Sequence, residues 1–388
     1  MNPSQKIAQK VVVVGCGRIA GHHCRSIAEV EGIELAGVCD LAQDKAKAYG
    51  KEFGVPSFTN YREMLESLPE VNTVAVITPS GMHFEHGLEI LERYRKNIIV
   101  EKPTFLKGSQ LETAYAVAEK QGLSLFPVFQ NRHNKAVQRV RKAIQNDELG
   151  KIRIISVRVR WCRPQRYYDL APWRGTFAQD GGALTNQGIH HLDLMRYLGG
   201  EVSQVNATMR TLGANIEVED TVVGSVQFKS GAVGALEVTT AARPIDFEAS
   251  ISIVGEKGLA QIGGIAVNEL QIFTPDPTAC AENSEDFSGC VYGYGHQALY
   301  RDISSYFHDG ASYPVSKADA LGSIRLLQSF YRSDEVGTWV KADSSEESSR
   351  LGRADEKLAN LYRIPLVAPV DKQAPGFQEE SRKAPHAY

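Results

Sequence analysis

The stretch that decides the fold is VVVVGCGRIAGHH, residues 11–23. It opens with a run of valines, which reads as a buried parallel strand ended by glycine. A helical pattern follows to about Val30. Gly15, Gly17 and Ala20 fall in the spacing G-x-G-x-x-A. Gly15 permits the tight turn, Gly17 lets the backbone approach a diphosphate, and Ala20 lets helix and strand pack closely. Arg18 and Ile19 lie in the same turn. A diphosphate placed there meets the free N–H groups and the positive dipole end of the helix. A second strand, IELAGVCD, ends in Asp40, 20 residues after Ala20. A carboxylate at that distance accepts from both ribose hydroxyls, although a turn cap fits it too. Leu41 and Ala42 offer no cation to a 2′-phosphate, so the pattern selects NAD over NADP.

Outward from this unit, strands and helices keep alternating: TVAVITP (73–79), a helix from about Gly81, NIIVEKP (97–103), a helix from Gly108, and LSLFPVFQ (123–130). The alternation predicts an α/β, doubly wound parallel sheet over residues 1–128. Ligands of such sheets lie beyond the carboxyl ends of the strands. Thr78, Pro79, Glu101, Lys102 and Gln130 therefore share one rim with the cofactor.

After a bridging helix the pattern changes. IRIISVRVRW (152–161) alternates with period two, as do TVVGSVQF, AVGALEVTT and ASISIVG, joined by turns such as KSGA and GEKG. These predict a second, α+β domain over 129–341 with an open, mostly antiparallel sheet. Arg158 and Arg160 face away from the valines, toward a subunit interface or solvent. Residues 342–388, rich in Pro, Ser and charge, are expected to be a flexible tail or an arm to a neighbouring subunit.

One helical pattern stands out: GGALTNQGIHHLDLMRYLGG, residues 181–200, sets Asn186, His190 and Asp193 four and three apart on a single face. An amide, an imidazole and a carboxylate there suit proton transfer. Metal binding through His190, His191 and Asp193 is disfavoured, because adjacent helical histidines point about 100° apart. Metal: none is the expectation.

The ordered set G-x-G-x-x-A, Asp40, TPSGMH, EKP and the 181–193 pattern resembles the glucose–fructose oxidoreductase/inositol dehydrogenase (Gfo/Idh/MocA) family. QNRHN, the Trp161–Asp193 tract and GYGHQALYRD further resemble its UDP-N-acetylglucosaminuronate 3-dehydrogenases, which act in making bacterial surface polysaccharides. The resemblance implies a Rossmann domain joined to the open-sheet domain, and oxidation of a secondary alcohol by NAD. It implies catalytic Lys102 and His190, with His83 among the cofactor residues. His190 is read as the base and Lys102 as the group that orients the hydroxyl, with the roles open to exchange. Most of the family has aspartate at the position of Asn186; an amide there bonds imidazole or substrate without charge. Asp193 would brace the helix or His190. A UDP-uronate calls for arginine forks and aromatic faces, which Arg132, Arg163, Arg166 and Arg174, interleaved with Tyr167, Tyr168 and Trp173, together with Asn186 and Gln187, would supply. A keto acid would recycle bound NADH if the cofactor does not exchange, and the assembly would be a homotetramer. A free cyclitol or sugar as substrate, or a non-catalytic NAD-binding regulator, stays open.

The totals agree. At 388 residues, 43% hydrophobic, with net charge −3, the chain holds two domains with real cores and advertises no nucleic-acid or membrane surface. Its apolar runs are too short to span a bilayer. MNPSQKIAQK lacks the apolar core of a signal peptide, and the six cysteines form no CxxC pair. Both point to reduced thiols and a cytoplasmic location.

Overall fold

The computed structural model describes residues 8–287 and 292–365. The first sheet has strands β1 (Gln9–Val14), β2 (Ile33–Cys39), β3 (Ser57–Phe58), β4 (Thr73–Val76), β5 (Asn97–Val100) and β6 (Leu125–Pro127). All neighbours are parallel, in the order β3-β2-β1-β4-β5-β6. Val11 to Val14 are buried on both sheet faces, which is why they read as an unbroken apolar run. The strand order reverses between β1 and β4, so the crevice beyond their carboxyl ends is the ligand position of such a sheet. No helix among the described residues is long and apolar enough to cross a membrane.

The second sheet holds β7 (Ile152–Arg160), β8 (Val202–Arg210), β9 (Thr221–Phe228), β10 (Val233–Thr239), β11 (Glu248–Gly255), β12 (Leu259–Gly263), β13 (Glu269–Phe273) and β14 (Val340–Lys341). Its order is β13-β12-β11-β7-β10-β9-β8-β14. Only β7 and β10 run parallel; the other neighbours are antiparallel. The inner face buries Val157, Val159, Leu236 and Val238 against the helices Ile189–Gly199 and Lys317–Val336. The outer face leaves Val223 and Val233 exposed. There Arg160 donates to Glu237 (2.6 Å) and Glu248 (3.3 Å), and Arg158 lies 3.7 Å from Glu248.

Three expectations change at this level. The single helix read over 181–200 is two pieces, Ala183–Asn186 and Ile189–Gly199, separated at Gln187 and Gly188. The helix Gly295–Asp309, expected with the second domain, packs on Ala20–Glu29, and its Leu299, Tyr300 and Ile303 join the core under the first sheet. The tail is folded as far as Pro365 and lies on its own chain. Leu351 is fully buried, Arg350 pairs with Asp334 (2.7 Å), and the Tyr362 hydroxyl accepts from the Trp173 N–H (3.2 Å). Arg363 reaches Glu85 of the first domain (2.7 Å). Apolar anchors such as Leu351 were hidden in a stretch whose average composition is polar. Residues 366–388 lie outside the described part.

Candidate active site

Gly15 has φ +103°, and a Cβ there would sit 2.4 Å from the Ile77 carbonyl oxygen. Only glycine lets β1 turn this close to the end of β4. Gly17 has open space around the Cβ position. The helix Ala20–Glu29 starts at Ile19 with no side-chain cap and no acid in its first turn. Its N–H groups and dipole are thus available to an anion. Asp40 lies beside this turn: its carboxylate accepts from the backbone N–H of Cys16 and of Ala42, both at 2.8 Å. Two bonds leave the carboxylate further acceptor sites for ribose hydroxyls. Arg18 is exposed and Ile19 half-buried at the mouth of the turn. Every part of this cradle fits a dinucleotide without a 2′-phosphate. NAD(H) is therefore expected to bind at least about tenfold more tightly than NADP(H), a gap of about 1.4 kcal/mol. Equal affinities in calorimetry would remove Asp40 from the cofactor site.

The rim beyond β4 and β5 carries the next set. The His83 ring lies 2.9 Å from the Pro103 carbonyl and 2.8 Å from the Thr78 carbonyl, one through each nitrogen. Read as a cofactor residue, His83 is in fact buried and ties the Thr78–Pro79 loop to the Lys102–Pro103 loop. Glu101 Oε1 accepts from Nε2 of His23 (3.1 Å) and of His296 (3.3 Å), and Oε2 from the Lys102 N–H (2.8 Å). Burial pushes the Glu101 carboxyl up, but the two imidazoles outweigh it and hold it well below the usual range. His23, Glu101 and His296 are the group among the described residues whose donor atoms approach as metal ligands would. The carboxylate oxygen already bonds both rings, however, so it acts here as their shared acceptor.

Lys102 reaches across to the second domain. Its Nζ donates to the Asn186 carbonyl (2.9 Å) and to Asn186 Oδ1 (3.4 Å). That carbonyl ends the short helix Ala183–Asn186, where carbonyls lack intrahelical partners. The break in the helix thus serves the lysine. Burial lowers the Lys102 pKa; Glu101 and Asp180 oppose this, whereas Arg174 and Arg163 add to it. His190 is buried, with Nε2 3.2 Å from Gln130 Nε2. Its Nδ1 and Gln130 Oε1 have no protein partner. Burial, reinforced by the Lys102 charge, holds the His190 pKa well below its ordinary value, so the ring is neutral near pH 7. His191 points elsewhere, edge-on to Trp161 with ring centroids 5.6 Å apart.

Several expected residues serve other partners. Asn186 bonds no imidazole: its Nδ2 donates to Asp180 Oδ1, while its two oxygens face Lys102. Asp193 does not reach His190. It accepts two bonds from Arg132, each 2.7 Å, and one from Ser323 Oγ at 2.8 Å. Arg132, expected to fork a substrate anion, is therefore buried against its own carboxylate, 4.5 Å from the Tyr197 ring centroid. Tyr168 is buried with its hydroxyl 2.9 Å from Thr240 Oγ1. The neighbouring Tyr167 is better placed. Its hydroxyl accepts from Arg174 Nη1 (2.5 Å) and Gln187 Nε2 (3.1 Å), leaving its own proton to donate. Arg174 lies over the rings of Tyr167 (4.3 Å) and Trp173 (4.6 Å), and its buried Nε has no partner. Arg163 lies over Trp161 (5.3 Å) and Tyr167 (5.6 Å) and pairs with Asp246 (2.8 Å). Asp180 was not picked out in sequence, since it sits in a turn with no periodicity to mark it.

Comparison with known proteins agrees with this arrangement. Residues 9–129 match the model of the oxidoreductase family with an NAD-binding Rossmann fold, and residues 137–261 that of the GFO/IDH/MocA C-terminal domain. The WlbA dehydrogenase of Bordetella pertussis, solved with NADH and UDP-GlcNAcA, superposes with a TM-score of 0.82 at 33% identity, over 87% of this chain and 99% of that one. WlbA of Chromobacterium violaceum, solved with the same two ligands, gives 0.80 at 35% identity over 88% and 98%. The D-glucoside 3-dehydrogenase of Escherichia coli K12 is 26% identical over 361 residues, 86% of this chain and 97% of its own. With a glycine cradle open to a dinucleotide and a half-buried lysine and a buried histidine at its rim, this chain belongs to the GFO/IDH/MocA family of NAD-dependent oxidoreductases.

Proposed function

We propose that the protein oxidises the 3-hydroxyl of a UDP-N-acetylglucosaminuronate-type nucleotide sugar, as a step toward surface-polysaccharide sugars. The observation that carries this reading is Arg174. It lies against two aromatic rings, has an unpartnered buried Nε, and is close enough to depress the Lys102 pKa. A cation so placed beside the reacting groups calls for an anion on the substrate, which a free cyclitol or neutral sugar lacks. Two WlbA proteins, crystallised with UDP-GlcNAcA, are neighbours at more than 30% identity.

NAD, when bound, takes up the hydride from the sugar carbon. The residues of the chain handle the proton and the geometry. Lys102, held by the Asn186 carbonyl, would orient the hydroxyl and stabilise charge developing on its oxygen. His190, neutral at physiological pH, would accept the proton. Gln130 Nε2 lies 3.2 Å from its Nε2, and its Nδ1 has no protein partner. Tyr167 would donate to the sugar, and Gln187 and Arg174 fix its hydroxyl.

UDP-N-acetylglucosaminuronate is expected to reduce NAD, and UDP-N-acetylglucosamine to be poorer by a factor of about 10² or more, because the buried Nε of Arg174 is left without a partner. Comparable kcat/KM for the two sugars, or for myo-inositol, would exclude the uronate reading. Mass spectrometry of small molecules retained on the purified protein reads the same question without a chosen substrate. It also shows whether NADH stays bound for recycling by a keto acid.

A further inference from the structure

Asp180 lies in the loop before the paired glycines, almost fully buried, on no regular element. Its Oδ2 accepts from the Gly175 N–H (2.7 Å) and its Oδ1 from Asn186 Nδ2. An amide is two-sided: a carboxylate can only accept, so it must face the NH₂ end. The oxygen end of Asn186 is thereby turned to Lys102 Nζ, at 3.4 Å, next to the Asn186 carbonyl at 2.9 Å. Without Asp180 nothing in this arrangement would prevent the amide from presenting its own N–H to the ammonium, donor against donor.

We propose that Asp180 is a positioning residue for the reaction: through Asn186 it aims an acceptor at Lys102 and supplies negative charge that favours the protonated form of this half-buried lysine. The proposal rests on the reading of Lys102 as the group that orients the hydroxyl. The charged groups around the pair are few. Lys102 feels Glu101 and Asp180 against Arg174 and Arg163. Asp180 feels Arg174 and Lys102, and its charge in turn reaches Tyr167 and Tyr168. Glu101 already serves His23 and His296. Asp180 adds to the Glu101 charge on the lysine and is the carboxylate linked to it through Asn186. Burial first, opposed by Gly175, Asn186, Arg174 and Lys102, brings its own pKa to about 6.

Two variants test this: Asp180→Asn, and the exchange Asp180→Asn with Asn186→Asp, which retains one carboxylate and one amide with their places swapped. The first reading is the pH dependence of Lys102 acetylation by acetic anhydride, followed by mass spectrometry on the full chain. Asp180→Asn is expected to lower the apparent Lys102 pKa by about one to two units, the usual effect of losing a nearby opposite charge. The exchanged protein is expected to return to the wild-type value. The second reading is turnover of UDP-N-acetylglucosaminuronate. There Asp180→Asn should lower kcat roughly 10- to 100-fold and move the alkaline limb of the kcat profile to lower pH, with NAD affinity unchanged. The exchanged protein should recover most of both.

An unmoved Lys102 pKa in folded Asp180→Asn overturns the proposal, even if the melting temperature falls, because a carboxylate that merely caps Gly175 would affect stability alone. Should Asp180→Asn not fold, the exchanged protein decides. A wild-type Lys102 pKa there supports the proposal, and a depressed one overturns it. If the wild-type protein does not turn over this sugar, the substrate reading fails, while the acetylation experiment still decides on Asp180.

Discussion

His190→Asn is expected to lower turnover by ~10²–10⁴-fold while leaving NAD binding within a factor of about two, on the usual worth of a positioned base. The asymmetry follows from where the parts sit. The dinucleotide cradle is built from the turn after β1, the helix Ala20–Glu29 and Asp40 of the first domain. His190 is on the helix Ile189–Gly199 of the second. Its neutral ring exists because burial and the Lys102 charge hold its pKa down, so at pH 7 it starts unprotonated and ready to accept. Lys102→Ala is expected to be similarly damaging. The double variant should be far less than multiplicatively worse, because two groups that serve one proton transfer fail together. Single-turnover reduction of NAD by UDP-N-acetylglucosaminuronate, with cofactor affinity measured separately, checks all three. Near-wild-type turnover in His190→Asn would make the helix structural and leave the proton to Lys102.

The second large effect is on stability. Arg132→Ala should destabilise the protein by about 3–5 kcal/mol, because it leaves the Asp193 carboxylate buried with a single hydroxyl partner. The two side chains are 4% and 1% exposed, and both arginine–carboxylate bonds are 2.7 Å. Ser323 alone would then face Asp193 Oδ1. Removing both charges together, as Arg132→Met with Asp193→Leu, should cost far less and can be neutral, since no ion remains without its partner. Urea unfolding of the single and double variants measures the difference. A loss below about 1 kcal/mol for Arg132→Ala would show that the pair behaves as an exposed one. Catalysis by the folded fraction should persist, which separates Arg132 from the site that its arginine chemistry first suggested.

The fold was legible because its signals are local and repeated. A run of valines into a glycine turn, a strand ended by Asp40, and alternating strands and helices each follow from backbone sterics and periodic burial within about thirty residues. The same holds for Lys102 and for His190 as rim or helix residues, since β-strand ends and helix faces are set by short-range geometry. What could not be read is which partner each polar side chain takes. Arg132 and Arg174 look alike in sequence; one is neutralised by Asp193, 61 residues on, while the other keeps a free Nε. Tyr167 and Tyr168 are adjacent, yet one hydroxyl meets Arg174 and Gln187 and the other Thr240. Leu351 and Tyr362 anchor a stretch that composition alone calls disordered. Nor does any pattern mark Asp180, whose link to Lys102 runs through an amide on another segment. Sequence by itself determined the two sheets, the cofactor turn and the residue types available at the rim, because chain-local sterics and burial period dictate them. Which charges are paired and which stay without a protein partner was settled in three dimensions, because a hydrogen bond between side chains is satisfied in space and carries no sequence spacing.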